Sequence, residues 1–169
     1  MPTFGLKPGQ NVLDVGTGTG VMIPLLVRAI SPSGSVTAID YAEKMIQKCR
    51  VKYARQQNVT ILLQDVEELD LPHESFDAIT CFGLFPHLTD KGEALHRMHR
   101  VLKHGGRLII AHALSSAEIH NHHHNTSSVV ALDVLPTEPE MRRLLHRAGF
   151  TEISIKDEPG YYLCLSSKP

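Results

Sequence analysis

The chain reads as an alternating α/β fold, a three-layer sandwich with a mostly parallel seven-stranded sheet. Three observations predict it. Short apolar runs alternate with stretches of helical spacing through residues 11–111. The first run, inside NVLDVGTGTG at 11–20, breaks off in glycines that open a helix. The chain closes with a helix and two alternating strands around Glu158-Pro159-Gly160, a hairpin that adds one antiparallel strand.

Taken in order, Val12, Leu13 and Val15 form a strand buried on both faces, with Asp14 set into it. Gly16, Gly18 and Gly20 free the backbone for a tight turn and for close approach by a ligand. Met22, Leu25, Leu26 and Ala29 keep helical spacing, so a helix is expected over about 21–30, with Pro24 harmless in its first turn. A second strand over 35–39 ends on Asp40, and Ala42, Met45, Ile46, Cys49 and Tyr53 continue as a helix. A third strand at 59–63 precedes Gln64-Asp65, and residues 66–75 are too short and polar for a helix. A fourth strand spans 76–82, followed by a loop over 83–89. Leu95, Met98 and Leu102 mark a helix expected to end at His104-Gly105-Gly106, before a fifth strand over 107–111. Thr137 and Glu140 make a capping box for a helix that turns Met141, Leu144, Leu145 and Ala148 inward, and strands over 150–156 and 161–166 end the chain.

One region departs from this rhythm. Residues 112–136 form a short histidine-rich insertion after the fifth strand, with a second capping-box pair, Ser115 and Glu118, predicting a helix over about 116–124. It leaves the edge of the sheet where α/β proteins bind ligands. Residues 1–169 otherwise read as a single domain without repeat or linker.

Composition narrows the partners. Lys and Arg total 17 against 18 Asp and Glu, so no overall field selects nucleic acid or an anionic membrane. No signal peptide and no membrane-spanning stretch is evident. Cys49, Cys81 and Cys164 are scattered and odd in number, as in a reduced cytoplasmic protein. The one anomaly is the 11 histidines, clustered at His120 and 122–124.

Strand, glycine turn and helix start make a site for a nucleotide-like ligand, and Asp40 stands where an acid can take ribose hydroxyls. The glycines are spaced G-x-G-x-G, and Val21 occupies the third position of the dinucleotide pattern, which speaks against a nicotinamide oxidoreductase. With VLDVGTGTG, AIDYAEKMI, LLQDVEELDLP, FDAITCFGLFPHL and RVLKHGGRLII in this order, the chain resembles the class I S-adenosylmethionine-dependent methyltransferases, in particular the small-molecule "type 11" group.

The resemblance implies a Rossmann-like fold and S-adenosylmethionine as cofactor. It implies that Asp14, the backbone of Gly16, Thr17 and Gly18, and Gly20 behind them hold the methionine part, and that Asp40 takes the ribose hydroxyls. By the same likeness Asp65 and the Val66 N–H read the adenine, Ile39, Tyr41 and Met45 flank adenine and ribose, and Phe82 and Gly83 border the methyl group. The loop after the fourth strand lacks the Asn/Asp-Pro-Pro-Tyr pattern of amino-group methylases, which disfavours nucleobase nitrogen. Members of the group mostly carry helices before the first strand. Here ten residues precede Asn11, so cover is expected from the 112–136 insertion or from a partner subunit, as in a homodimer.

The acceptor side rests on fewer residues. His87, beside Phe85, is the candidate base, with the alternative that it only caps or packs. Phe85, His87, His120 and Asp133 are the expected acceptor contacts. On a helix His120, His123 and His124 share a face and could ligate a divalent metal, with Asp133 or His112 as a further ligand; the alternative is an exposed polar helix. His96, His99, His104 and His146 are expected at the surface. The leading reading is methyl transfer to a small molecule; the rival is a cofactor- or metal-binding module without turnover.

Overall fold

The computed structural model describes residues 4–126 and 133–169, and the side chains of all of these except 122–126. Its order is β1 (Asn11–Val15), α1 (Ile23–Ile30), β2 (Ser35–Asp40), α2 (Glu43–Lys52), β3 (Val59–Leu63), β4 (Phe76–Phe82), a 3₁₀ turn (Phe85–His87), α3 (Lys91–Val101), β5 (Leu102–His112), α4 (Ser116–Thr126), α5 (Glu138–Arg147), β6 (Thr151–Glu158) and β7 (Tyr161–Ser167).

The strands form one seven-stranded sheet in the order β3-β2-β1-β4-β5-β7-β6. β1 pairs parallel with both β2 and β4, and β7 is antiparallel to β5 and β6. Connections run outward in opposite directions from β1 and β4, so the topological switch point, where open α/β sheets bind ligands, lies between their C-terminal ends.

Each face of the sheet has its own apolar layer. Ile23, Leu26 and Ile30 of α1 and Cys49 of α2 pack with Val12, Val36 and Ala38 on one face. Leu95 and Met98 of α3, Met141 and Leu145 of α5, and Ile119 of α4 pack with Leu13, Ile79, Leu108 and Ile110 on the other. Alternate residues of β1, β4 and β5 thus serve opposite layers, as the pleat requires.

The helix expected to run to 104–106 ends instead at Val101, and the chain is already extended at Leu102. The cause is long-range pairing. Gly105 N–H donates to the Lys168 carbonyl and Lys168 N–H to the Gly106 carbonyl, each at 2.9 Å, while the buried Lys168 ammonium donates to the Leu102 carbonyl at 2.9 Å. Sheet pairing outweighs the weak local helical preference of these residues.

Both predicted capping boxes are present. The Thr137 N–H donates to Glu140 Oε2 at 2.9 Å, and the Ser115 N–H to Glu118 Oε2 at 2.8 Å. Glu118 Oε2 also accepts from Gly160 N–H at 2.9 Å, and Asp157 accepts from the Ser116 N–H at 2.9 Å. These bonds tie the start of α4 to the tip of the β6–β7 hairpin and hold it over the C-terminal edge of the sheet. His99 is not at the surface: its ring stacks edge-on against Phe150 at 5.1 Å, and burial, then Lys168, lowers its pKa.

Candidate functional site

The site begins with a buried carboxylate. Asp14 faces Thr80 across the β1–β4 pair and is 1% exposed. Its two oxygens accept from the Thr17 and Thr80 hydroxyls, both at 2.7 Å. Burial pushes its pKa up to about 6 against the pull of those two hydrogen bonds, with Asp40 adding repulsion.

Asp14 therefore lies beneath the glycine turn and steadies it through Thr17. The Thr17 N–H donates to the Ile39 carbonyl at 2.9 Å, tying the turn to β2. Gly20 has φ +81°, and a Cβ there would lie 2.3 Å from the Tyr53 ring and 2.9 Å from Cys49 Sγ, so only glycine fits against α2. Gly18 has φ +56° with no atom within 4 Å of where a Cβ would stand, which leaves its backbone open to a ligand.

Asp40 ends β2 beside this turn. One carboxylate oxygen accepts from Gly18 N–H at 2.8 Å, the other from Ala42 N–H at 2.9 Å. A carboxylate offers about four acceptor directions, so two remain for a ligand.

Gly16, Asp40, Tyr41, Asp65, Val66 and His87 line a cleft of about 200 Å³ at the switch point. Tyr41, 71% exposed, forms its rim. Asp65 Oδ1 accepts from Glu67 N–H at 2.9 Å, which sets the carboxylate at the cleft edge. Glu67 in turn accepts from Thr89 N–H at 2.7 Å and closes the outer wall. Leu84 packs under Gly16.

Sequence reasoning did not single out Gln64, Glu67, Leu84 or Thr89. They reach the cleft because the loops after β3 and β4 converge, and the motifs that contain Gln64, Glu67 and Leu84 were not read as giving them a role. Of the other expected cofactor residues, Thr17, Gly18 and Gly20 shape the turn, and Met45, 40% exposed, sits on α2 away from the lining. Phe82 and Gly83 border a second, neighbouring cavity of about 200 Å³ with Pro86, His112, Ala113 and Ile119.

His87 lines both spaces. Its Nδ1 lies 2.7 Å from Asp133 Oδ2. A carboxylate at Nδ1 favours the tautomer with its proton there, which makes Nε2 the basic nitrogen.

Phe85, expected at the acceptor, is instead 0% exposed in the layer under α3. The 3₁₀ turn carries Phe85 and Pro86 inward and leaves His87 at the surface of the cavities. His120 is exposed on α4 and lines neither space. Among the described residues no three metal-ligating side chains are placed to hold an ion, and the His123 and His124 side chains of the expected metal set lie outside the described residues.

Comparison with known proteins points to one family. A family model described as a methyltransferase domain matches residues 12–106. A demethylmenaquinone methyltransferase of Staphylococcus aureus is 39% identical over 110 residues, covering 64% of this chain and 45% of that protein. An uncharacterized 37.1 kDa protein from a transposon of Streptomyces fradiae is 35% identical over 104 residues, covering 62% of this chain and 30% of that one. The chain thus aligns with less than half the length of these curated relatives. Among solved structures, a SAM dependent methyltransferase from Aquifex aeolicus superimposes with a TM-score of 0.80 at 26% identity, covering 98% of this chain and 86% of that one.

Proposed function

Because the chain belongs to the methyltransferase domain family, we propose that it transfers a methyl group from S-adenosylmethionine to a small-molecule acceptor. The observation that carries this is Asp40: a carboxylate at the end of β2, held by two backbone N–H groups and with acceptor capacity to spare, beside an open glycine turn. A vicinal diol can donate both hydroxyls to such a carboxylate, in charge-assisted hydrogen bonds. Asp65 and the Val66 backbone stand farther along the same cleft, where an adenine would be read. The relative named demethylmenaquinone methyltransferase supports a small-molecule acceptor. Among the described residues no helix is long and apolar enough to cross a membrane. Cys49, Cys81 and Cys164 are all free and buried, which fits a reducing, cytoplasmic setting.

When bound, the cofactor supplies a methyl group on a positively charged sulfur, which keeps the bonding electron pair as a neutral thioether. The chain's own contribution is orientation and exclusion of water. Asp40 and the glycine turn fix one side of the transfer. His87, oriented by Asp133, takes the proton from the acceptor atom as that atom bonds to the methyl carbon.

The test is transfer of radiolabelled methyl from S-adenosylmethionine into a pool of small metabolites. Wild type is expected to yield labelled product, and His87→Gln about 100-fold less at saturating S-adenosylmethionine. Absence of product from wild type across aqueous and organic-soluble pools would leave a binding module in place of an enzyme.

A further inference from the structure

The first residue of α3 is a lysine, and it runs against the helix's own needs. Asp90 already caps the helix by accepting from Glu93 N–H at 2.9 Å, and a cation in the first turn opposes the helix dipole. Lys91 instead turns its side chain back along the chain. Its ammonium donates to the Pro86 carbonyl at 3.0 Å and to the Leu88 carbonyl at 2.9 Å, the two carbonyls that flank His87.

The 3₁₀ turn that carries His87 needs such a brace. It spans only Phe85–His87. Its internal bonds are His87 N–H to the Leu84 carbonyl at 2.8 Å and a long one, Leu88 N–H to the Phe85 carbonyl at 3.4 Å. Turns of this kind have poor hydrogen-bond geometry and hold weakly by themselves. Burial fixes Phe85 and Pro86, but the His87 side chain is 37% exposed. The backbone beneath it and the Asp133 contact at 2.7 Å both act on its ring direction. Lys91 reaches both. Burial lowers the Lys91 pKa, and the charges of Asp133 and then Glu67 pull it back up, so the ammonium lies in the field of the carboxylate that holds His87.

We propose that Lys91 is a positioning residue for methyl transfer: by bridging the carbonyls on either side of His87 it fixes the turn, so that the ring keeps Nδ1 on Asp133 and presents Nε2 to the cavity. The proposal rests on the reading of His87 as the base. Lys91 lines neither the Asp40 cleft nor the His87 cavity, so it acts through the turn.

The test compares Lys91→Met, which keeps the apolar stem and loses the donors, with Lys91→Arg, which can still donate to both carbonyls. Long-range proton–nitrogen NMR at alkaline pH reads the His87 ring, assigned by the signals missing from His87→Gln. Wild type and Lys91→Arg are expected to show one tautomer, protonated at Nδ1, and Lys91→Met a mixture of both. Transfer of labelled methyl into the small-metabolite pool, at saturating S-adenosylmethionine, should fall about tenfold in Lys91→Met and largely recover in Lys91→Arg. Melting curves complete the comparison, because a plain brace of the helix start lowers the melting temperature without touching the tautomer. One tautomer in folded Lys91→Met, whatever its rate, would overturn the proposal. A mixed tautomer with transfer at the wild-type rate would sink the reading of His87 as the base, and with it the role of Lys91 in transfer. A wild type that yields no labelled product, with the tautomer change intact, would sink methyl transfer alone and leave Lys91 placing the ring.

Discussion

Asp40→Asn is expected to weaken S-adenosylhomocysteine binding by about 100-fold, measured by calorimetry. Two hydrogen bonds from ligand hydroxyls to an ionised carboxylate are each worth about 1.5–3 kcal/mol, and each 1.4 kcal/mol is a factor of ten. Asparagine keeps the size of the side chain but replaces one acceptor oxygen with an NH₂ group. That group would face the N–H of Gly18 or Ala42, so the turn loosens as the ligand contact is lost. A melting curve separates the two contributions, because losing one backbone bond costs only about 1 kcal/mol of stability. An affinity within threefold of wild type would show that Asp40 is an internal brace and nothing more.

Asp14→Asn is expected to remove a pH dependence of stability worth about 3 kcal/mol. In the folded protein the Asp14 carboxyl titrates at about 6, against 3.8 when unburied. Between those values the folded state holds the proton that the unfolded state has already lost. Stability contributed by this group is therefore full below pH 3.8, declines as pH rises, and is gone above about 6; about two units at 1.36 kcal/mol each set the magnitude. Glu74, Glu118 and Glu140 act in the opposite sense. Their hydrogen bonds lower their pKa values, so their contributions are lost as pH falls below 4.5. Denaturant unfolding of wild type and variant at intervals from pH 4 to 7 isolates the Asp14 slope as the difference. Parallel stability curves would mean that Asp14 is solvated in the folded protein.

Much of the frame was legible because local signals and tertiary need coincide. β3 and β4 span the expected residues because each is an apolar run bounded by polar or turn-forming residues. Asp40 and Asp65 were legible because one ends β2 and the other follows β3 by two residues, the positions that the resemblance marks. Residues 102–106 were not, since their conformation is dictated by Lys168, more than sixty residues away in sequence. Phe85 was placed at the acceptor because it lies in the loop after the fourth strand beside His87, yet the 3₁₀ turn carries it into the layer under α3.

The central claim is that the cleft between the glycine turn and Asp40 holds the cofactor. A crystal structure of the protein grown with S-adenosylhomocysteine tests it most directly. The expected result is one bound molecule, its ribose oxygens within hydrogen-bond distance of the Asp40 carboxylate, its adenine beside Asp65 and Val66, and its sulfur turned toward Gly83 and His87. Density for the ligand elsewhere, or an unchanged cleft at saturating ligand, would contradict it.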